Sequence, residues 1–198
     1  MGHTSATKDG LRRTLLAARR ARTPEARSAA ERAIAAHAAA DRALSRAARL
    51  AAYLAMPGEP PTADLIAAFL STGTEVLVPV TRPDHRLDWV LHDPAAPTVR
   101  SALGIDEPMA EPLPGDALAE VDLVLVPALA VDHHGNRLGR GAGYYDRALA
   151  GLRGRPDRPL LCAVVFADEL LPEVPHDDHD VPVDLVLTDG GVFRPNRH

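Results

Sequence analysis

The sequence predicts an α/β protein: a three-layer, Rossmann-like sheet with helices on both faces, in a single domain over residues 1–198. Two observations predict it. Apolar runs such as residues 122–131 are nearly continuous Val and Leu, the pattern of a strand covered on both faces. Segments of helical spacing alternate with those runs, and that alternation builds layered sheets. The scale also fits, because 198 residues with 46% apolar content suffice for one buried core.

Each element follows in order. Leu11, Leu15 and Leu16 lie at helical spacing among Arg12, Arg13, Arg19 and Arg20, so the chain opens on a helix. Thr23-Pro24-Glu25 restarts it, with Thr as N-cap, Pro at the first position and Glu near the positive end. The second helix is expected to run to about Ala39. Leu50 to Met56 reads as a strand, broken by Pro57-Gly58. Thr62 is the expected cap of a helix that presents Leu65, Ile66, Phe69 and Leu70 on one face. Further strands are expected at 75–80, 87–91, 122–131, 160–166 and 184–187. The Pro-rich stretch from Pro94 to Pro114 reads as a long loop.

Composition excludes several classes. Net charge is -5, which gives no support to a general nucleic-acid surface. The single cysteine, Cys162, cannot form an internal disulfide and reads as a buried strand thiol. No apolar stretch approaches the roughly 20 residues of a membrane span. The first ten residues lack an apolar signal core. A cytoplasmic monomer without nucleic-acid or membrane partners is the expectation.

The informative segment follows the strongest strand: Arg137-Leu138-Gly139-Arg140-Gly141-Ala142-Gly143, then Tyr144 opening a helix. Glycines let backbone N–H groups approach an anion closely, and a helix start adds donors. Arg137 and Arg140 can add forked hydrogen bonds to phosphate oxygens. Asp146 is placed to hold a magnesium ion that bridges phosphates. The segment is neither a Walker A loop nor a dinucleotide fingerprint. As a bare motif, a sharp strand-to-helix turn with surface arginines explains it about equally well. His176-Asp177-Asp178-His179-Asp180 invites a zinc reading, but flanking prolines argue for an acidic loop. His133 and His134 read as exposed turn residues, and Trp89 as a core strand residue.

The string from Gly135 to Arg147 resembles the signature of the 5-formyltetrahydrofolate cyclo-ligases. Four more segments match in the same order. Lys8, Leu11, Arg12 and Arg19 resemble the family's opening helix. Residues Tyr53 to Thr62 resemble its strand-to-loop segment, with Glu59 at the substrate position. Gly104-Ile105-Asp106-Glu107-Pro108 and His179 to Asp184, followed by Thr188, resemble two later segments. Ala142 stands where family members often carry Lys or Gly, which leaves Arg140 or Lys8 to make that phosphate contact. Asp177 and Asp189 stand where the family often has Glu.

The resemblance implies ATP-dependent closure of 5-formyltetrahydrofolate to the 5,10-methenyl form, with magnesium. It implies that Arg137, Leu138, Gly139, Arg140, Gly141, Ala142, Gly143, Tyr144 and Tyr145 wrap the ATP phosphates. Lys8 and Arg12 are implied to reach the same nucleotide. Leu54, Glu59, Arg140 and Tyr144 are implied to meet the folate, with Glu59 facing pterin N–H donors. Arg140 and Tyr145 are the expected catalytic groups, and Asp146 and Asp180 the expected magnesium residues. Two other readings stand beside it: a non-catalytic binding module, and a phosphate-handling isomerase on the same fold.

Overall fold

Helix α1 (Gly2–Ala21) and helix α2 (Pro24–Ala40) divide where Thr23-Pro24-Glu25 predicts, and the Thr23 hydroxyl accepts a hydrogen bond from the Ala26 N–H. The structure is a computed structural model that describes residues 2–113, 116–177 and 180–196, with side chains from residue 7. Pro114, at the end of the expected loop, and Asp178 and His179 of the acidic cluster lie outside the described residues.

The chain continues through β1 (Arg49–Ala51), α3 (Ala63–Ser71), β2 (Glu75–Thr81) and β3 (Leu87–Leu91). Then come β4 (Thr98–Arg100), β5 (Asp106–Pro108), β6 (Leu123–Pro127), β7 (Ala130–Asp132) and β8 (Arg137–Leu138). Helix α4 (Tyr144–Ala150), β9 (Leu160–Val164), β10 (Leu170–Leu171), β11 (Leu185–Thr188) and β12 (Gly191–Phe193) complete it.

Seven strands form the main sheet in the order β12-β11-β9-β6-β1-β2-β3. The central five are parallel, and the two edges, β12 and β3, are antiparallel. Side chains alternate across it, as the two-residue strand period demands. Leu50, Val76, Leu123, Leu125 and Leu187 pack on one face against Ile34 and Ala38 of α2 and Leu65, Ile66 and Phe69 of α3. Ala51, Leu77, Val124, Val126 and Val186 pack on the other face with Leu118, Leu149 and Leu152. Full burial of each Leu or Val contributes about 1.5–3 kcal/mol. Both faces are covered, which explains the unbroken apolar runs. Cys162 lies in this core, and burial raises its thiol pKa, which suits an inert packing role.

Some expectations need correction. Residues 122–131 do not form one strand. The chain leaves the main sheet after Pro127, and β7 joins a small sheet with β10 and β8. Leu11, Leu15 and Leu16 of α1 pack on that small sheet rather than on the large one. The segment 94–114 is not structureless, because β4 and β5 pair as a hairpin, Val99 opposite Glu107. The strand expected at 50–56 ends at Ala51. Thr62 sits at the N-cap position of α3 without capping it; its hydroxyl donates to the Tyr53 carbonyl at 2.9 Å.

Candidate active site

In parallel sheets, ligands settle outside the carboxyl ends of strands, where the chain reverses its direction of travel across the sheet. Here that place lies between β1 and β6. From β1 the chain moves outward to β2, and after β6 it moves the opposite way to β9. A cavity of about 300 Å³ opens there. Tyr53 and Leu54 follow β1 into it, and Pro127 and Ala128 come from the end of β6. Pro79 and Thr81 of β2, with Leu87 of β3, extend one wall; Leu103 and Ile105, between β4 and β5, close another.

Glu59 reaches the cavity from a tight turn. Pro57 and Gly58 occupy its middle positions, with Gly58 at φ +89°, the pattern of a type II turn. The Glu59 N–H donates to the Met56 carbonyl at 2.9 Å, and the Met56 N–H returns a 2.9 Å bond to the Glu59 carboxylate. Arg140 Nε lies 3.4 Å from the other carboxylate oxygen. The Glu59 side chain is buried, and desolvation raises its pKa despite the Met56 and Arg140 contacts. A buried, half-satisfied carboxylate facing a cavity is suited to receive N–H donors from a ligand.

The glycine-rich segment forms the opposite wall. Arg137, Gly139, Arg140, Gly141, Ala142, Gly143, Tyr144, Tyr145 and Asp146 all line the cavity. Gly141 and Gly143 take φ values of +97° and +74°, which L side chains rarely adopt. Arg12 of α1 backs this segment from outside the cavity lining, donating from Nε to the Gly139 carbonyl at 3.0 Å. Arg137 is almost wholly buried and pairs through Nη2 with Asp146. Its Nε and Nη1 have no hydrogen-bond partner within the protein. The hydroxyl of Tyr145 is likewise buried and unpartnered, and burial raises its pKa, so it stands as a neutral donor. Unpaired buried donors cost stability, and these belong to two residues of the cavity lining.

Besides Arg12, three sequence-derived residues lie outside the cavity lining. Leu138 is in β8, with its side chain in the core against Leu15, Leu129 and Val174, so packing rather than nucleotide contact explains it. Its carbonyl accepts from the Leu129 N–H at 2.7 Å. Lys8 and Asp180 are outside the cavity lining. Lys8 pairs with Asp177 at 2.6 Å and lies 3.5 Å from Asp180, fastening α1 to the acidic loop. Asp180 therefore does not share a wall with Asp146. Among the described residues, no group of three or more His, Cys, Asp or Glu gathers as a metal cluster; Asp178 and His179 lie outside them.

Other functional neighbours carried little local signal. Glu107, buried, accepts from Thr81 N–H and Oγ1, at 3.0 and 2.9 Å, and ties the β4–β5 hairpin to the cavity wall. Asp132, also buried, accepts from the N–H groups of His134 and Asn136 and from the Asn136 amide, which shapes the turn leading into β8. Trp89 is buried, as its strand position predicts, and meets Tyr145 edge-on at 6.4 Å.

Comparison with known proteins converges on one family. The model of the 5-formyltetrahydrofolate cyclo-ligase family matches residues 4–189. A 5-formyltetrahydrofolate cyclo-ligase of Mycolicibacterium smegmatis is 42% identical over 142 residues, covering 69% of this chain and 71% of the relative. That of Escherichia coli K12 is 29% identical over 147 residues, covering 73% and 80%. The NMR structure of Aquifex aeolicus 5,10-methenyltetrahydrofolate synthetase superposes with a TM-score of 0.81 at 27% identity, covering 96% of this chain and 94% of that one.

Proposed function

Because this chain belongs to the 5-formyltetrahydrofolate cyclo-ligase family, we propose that its cavity holds the ATP triphosphate along residues 137–145 and the reduced pterin at Glu59. The chain is an ATP-dependent ligase of folate one-carbon metabolism with 5-formyltetrahydrofolate cyclo-ligase activity. The proposal concerns how its residues carry that activity. The observation that carries it is one cavity lined by Glu59 and, from the glycine-rich segment, by Arg137, Arg140 and Tyr145, with Arg140 3.4 Å from the Glu59 carboxylate.

The chemistry sets the requirement. A formamide oxygen is a poor leaving group, so attack by N10 alone leads nowhere. Transfer of the terminal phosphoryl group to that oxygen makes it phosphate on departure. N10 then attacks the activated carbon, loses its proton, and the five-membered ring closes. Phosphoryl transfer needs positioning and charge neutralisation. Arg137 and Arg140 supply fixed positive charge, and Arg12 holds the Gly139 carbonyl so that the loop keeps its shape. Glu59, its carboxylate fixed by the Met56 N–H, orients the pterin through its N–H donors. Leu54, Leu103 and Ile105 exclude water around the folate, and Tyr145 donates from a neutral hydroxyl.

Asp146 suits a magnesium-linked role, as an exposed carboxylate on the cavity wall beside Arg137. With one carboxylate there, an ion would be held largely by phosphate oxygens and water, which is how magnesium usually binds. Such an ion would neutralise phosphate charge. Lys8 and Asp180 belong to this role only by loop rearrangement, since they lie 3.5 Å from each other outside the cavity lining.

Incubation of purified protein with 5-formyltetrahydrofolate and ATP–magnesium tests the reading. Absorbance of the methenyl product is expected to rise with one ADP formed per product. Turnover that proceeds without ATP would overturn it.

A further inference from the structure

Arg147, one turn into α4, lies outside the cavity lining and has no role in the mechanism above. It nevertheless joins two walls. Its Nη2 donates to the Ala142 carbonyl at 2.7 Å, inside the glycine-rich segment. Its Nε donates to the His85 carbonyl at 3.1 Å, in the turn between β2 and β3. The guanidinium lies against Gly143, where a Cβ would approach Nη1 to 3.1 Å and push it by a few tenths of an ångström, while the φ of +74° itself favours glycine. His85 is held in turn at φ +59°, the one non-glycine residue with positive φ among those described, and its ring meets Tyr144 edge-on at 5.2 Å.

The turn also leads to the folate side. β2 ends at Thr81, whose N–H and hydroxyl bind Glu107 of β5, and the preceding residues Leu103 and Ile105 line the cavity. Hydrogen bonds from Arg147 to the Ala142 and His85 carbonyls, the short turn back to Thr81 and its bonds to Glu107 therefore link the glycine-rich segment to the hairpin beside the folate. We propose that Arg147 is a positioning residue that couples the two substrates: nucleotide seated on the glycine-rich segment steadies the β2–β3 turn, and hence the folate wall. The inference rests on the substrate placement proposed above. Coupling of this kind is reciprocal, so each substrate must tighten the other by the same factor.

Calorimetry of the full chain tests it. Binding of 5-formyltetrahydrofolate is measured with and without a non-hydrolysable ATP analogue, in the wild type and in Arg147→Ala and Arg147→Lys. In the wild type the analogue is expected to tighten folate binding at least about five-fold, within the usual range of such couplings. Arg147→Ala is expected to bring that ratio within about two-fold of one, with an unfolding midpoint close to wild type because the side chain is exposed. Arg147→Lys can reach one carbonyl at a time and should fall between. A ratio retained in Arg147→Ala, or a wild-type ratio of one, would overturn the coupling while leaving the substrate sites standing. Failure of the wild type to bind the analogue would instead overturn those sites, and this inference with them.

Discussion

At the scale of single residues, the cavity includes a charged group whose burial is costly. That group is Glu59. Its folded pKa is raised above the ordinary 4.5 chiefly by desolvation. The folded state therefore holds the proton more tightly than the unfolded chain, and stability falls as pH rises from the unfolded value through the folded one. Glu59→Gln keeps an acceptor for the Met56 N–H and removes that charge. Its melting temperature is expected to gain on wild type as pH rises from the ordinary carboxylate range toward neutral, with no such gain below it. Folate affinity is expected to fall in the same variant. Thermal melts across pH would show a constant gap if the carboxylate's ionisation were irrelevant. Glu59 itself was legible in the sequence only through the family's strand-to-loop segment. Local pattern alone reads a charged residue in a Pro-rich loop as surface, because burial depends on strands far away in the chain.

The glycine-rich segment sets the behaviour at the scale of elements. Gly143 satisfies two demands at once: a left-handed backbone and close packing against Arg147. Gly143→Ala strains the first and crowds the second. A rise in ATP KM of roughly ten-fold is expected, with a stability loss of only about 1–2 kcal/mol, the usual scale for such backbone strain. Steady-state kinetics beside a denaturant titration would separate these; equal ATP KM in the two proteins would count against the loop's role. This segment was the most legible part of the molecule, since its glycines take positive φ and its arginines line the cavity where they stand in the chain. The β4–β5 hairpin was not legible, because its pairing is held by Glu107 reaching back to Thr81, 26 residues earlier. Residues 122–131 misled for a related reason. Both halves are buried and apolar, yet they serve different sheets, and only Pro127 hints at the break.

Across the whole molecule, the alternation of apolar runs and helical segments announced the layered sheet correctly, and the central strands lie where Val and Leu concentrate. Strand order, the antiparallel edges and the small second sheet depend on long-range pairing that no local pattern encodes. The attachment of α1 shows the same limit. Arg19 is buried and binds Glu169, 150 residues away, at 2.7 Å through both Nε and Nη2, while Nη2 also donates to the Ala128 carbonyl at the cavity edge. The sequence offered Arg19 only as a family match on a basic helix. Removing one partner strands the other charge in the core, so Arg19→Met is expected to cost about 3–5 kcal/mol by urea unfolding. The exposed Arg86→Ala should stay within about 0.5 kcal/mol. Arg19→Met combined with Glu169→Leu should recover much of the loss; a double variant no better than the single would show that the charge pair is not the cause.

The substrate placement stands or falls on Arg137, a buried guanidinium on the cavity lining. Calorimetric titration of a non-hydrolysable ATP analogue into wild type and Arg137→Met measures this directly. The expected result is a Kd at least about ten-fold weaker in the variant, the loss of one or two charge-assisted hydrogen bonds, with 5-formyltetrahydrofolate alone binding within about two-fold of wild type. Unchanged analogue affinity in a folded Arg137→Met protein would contradict the nucleotide site.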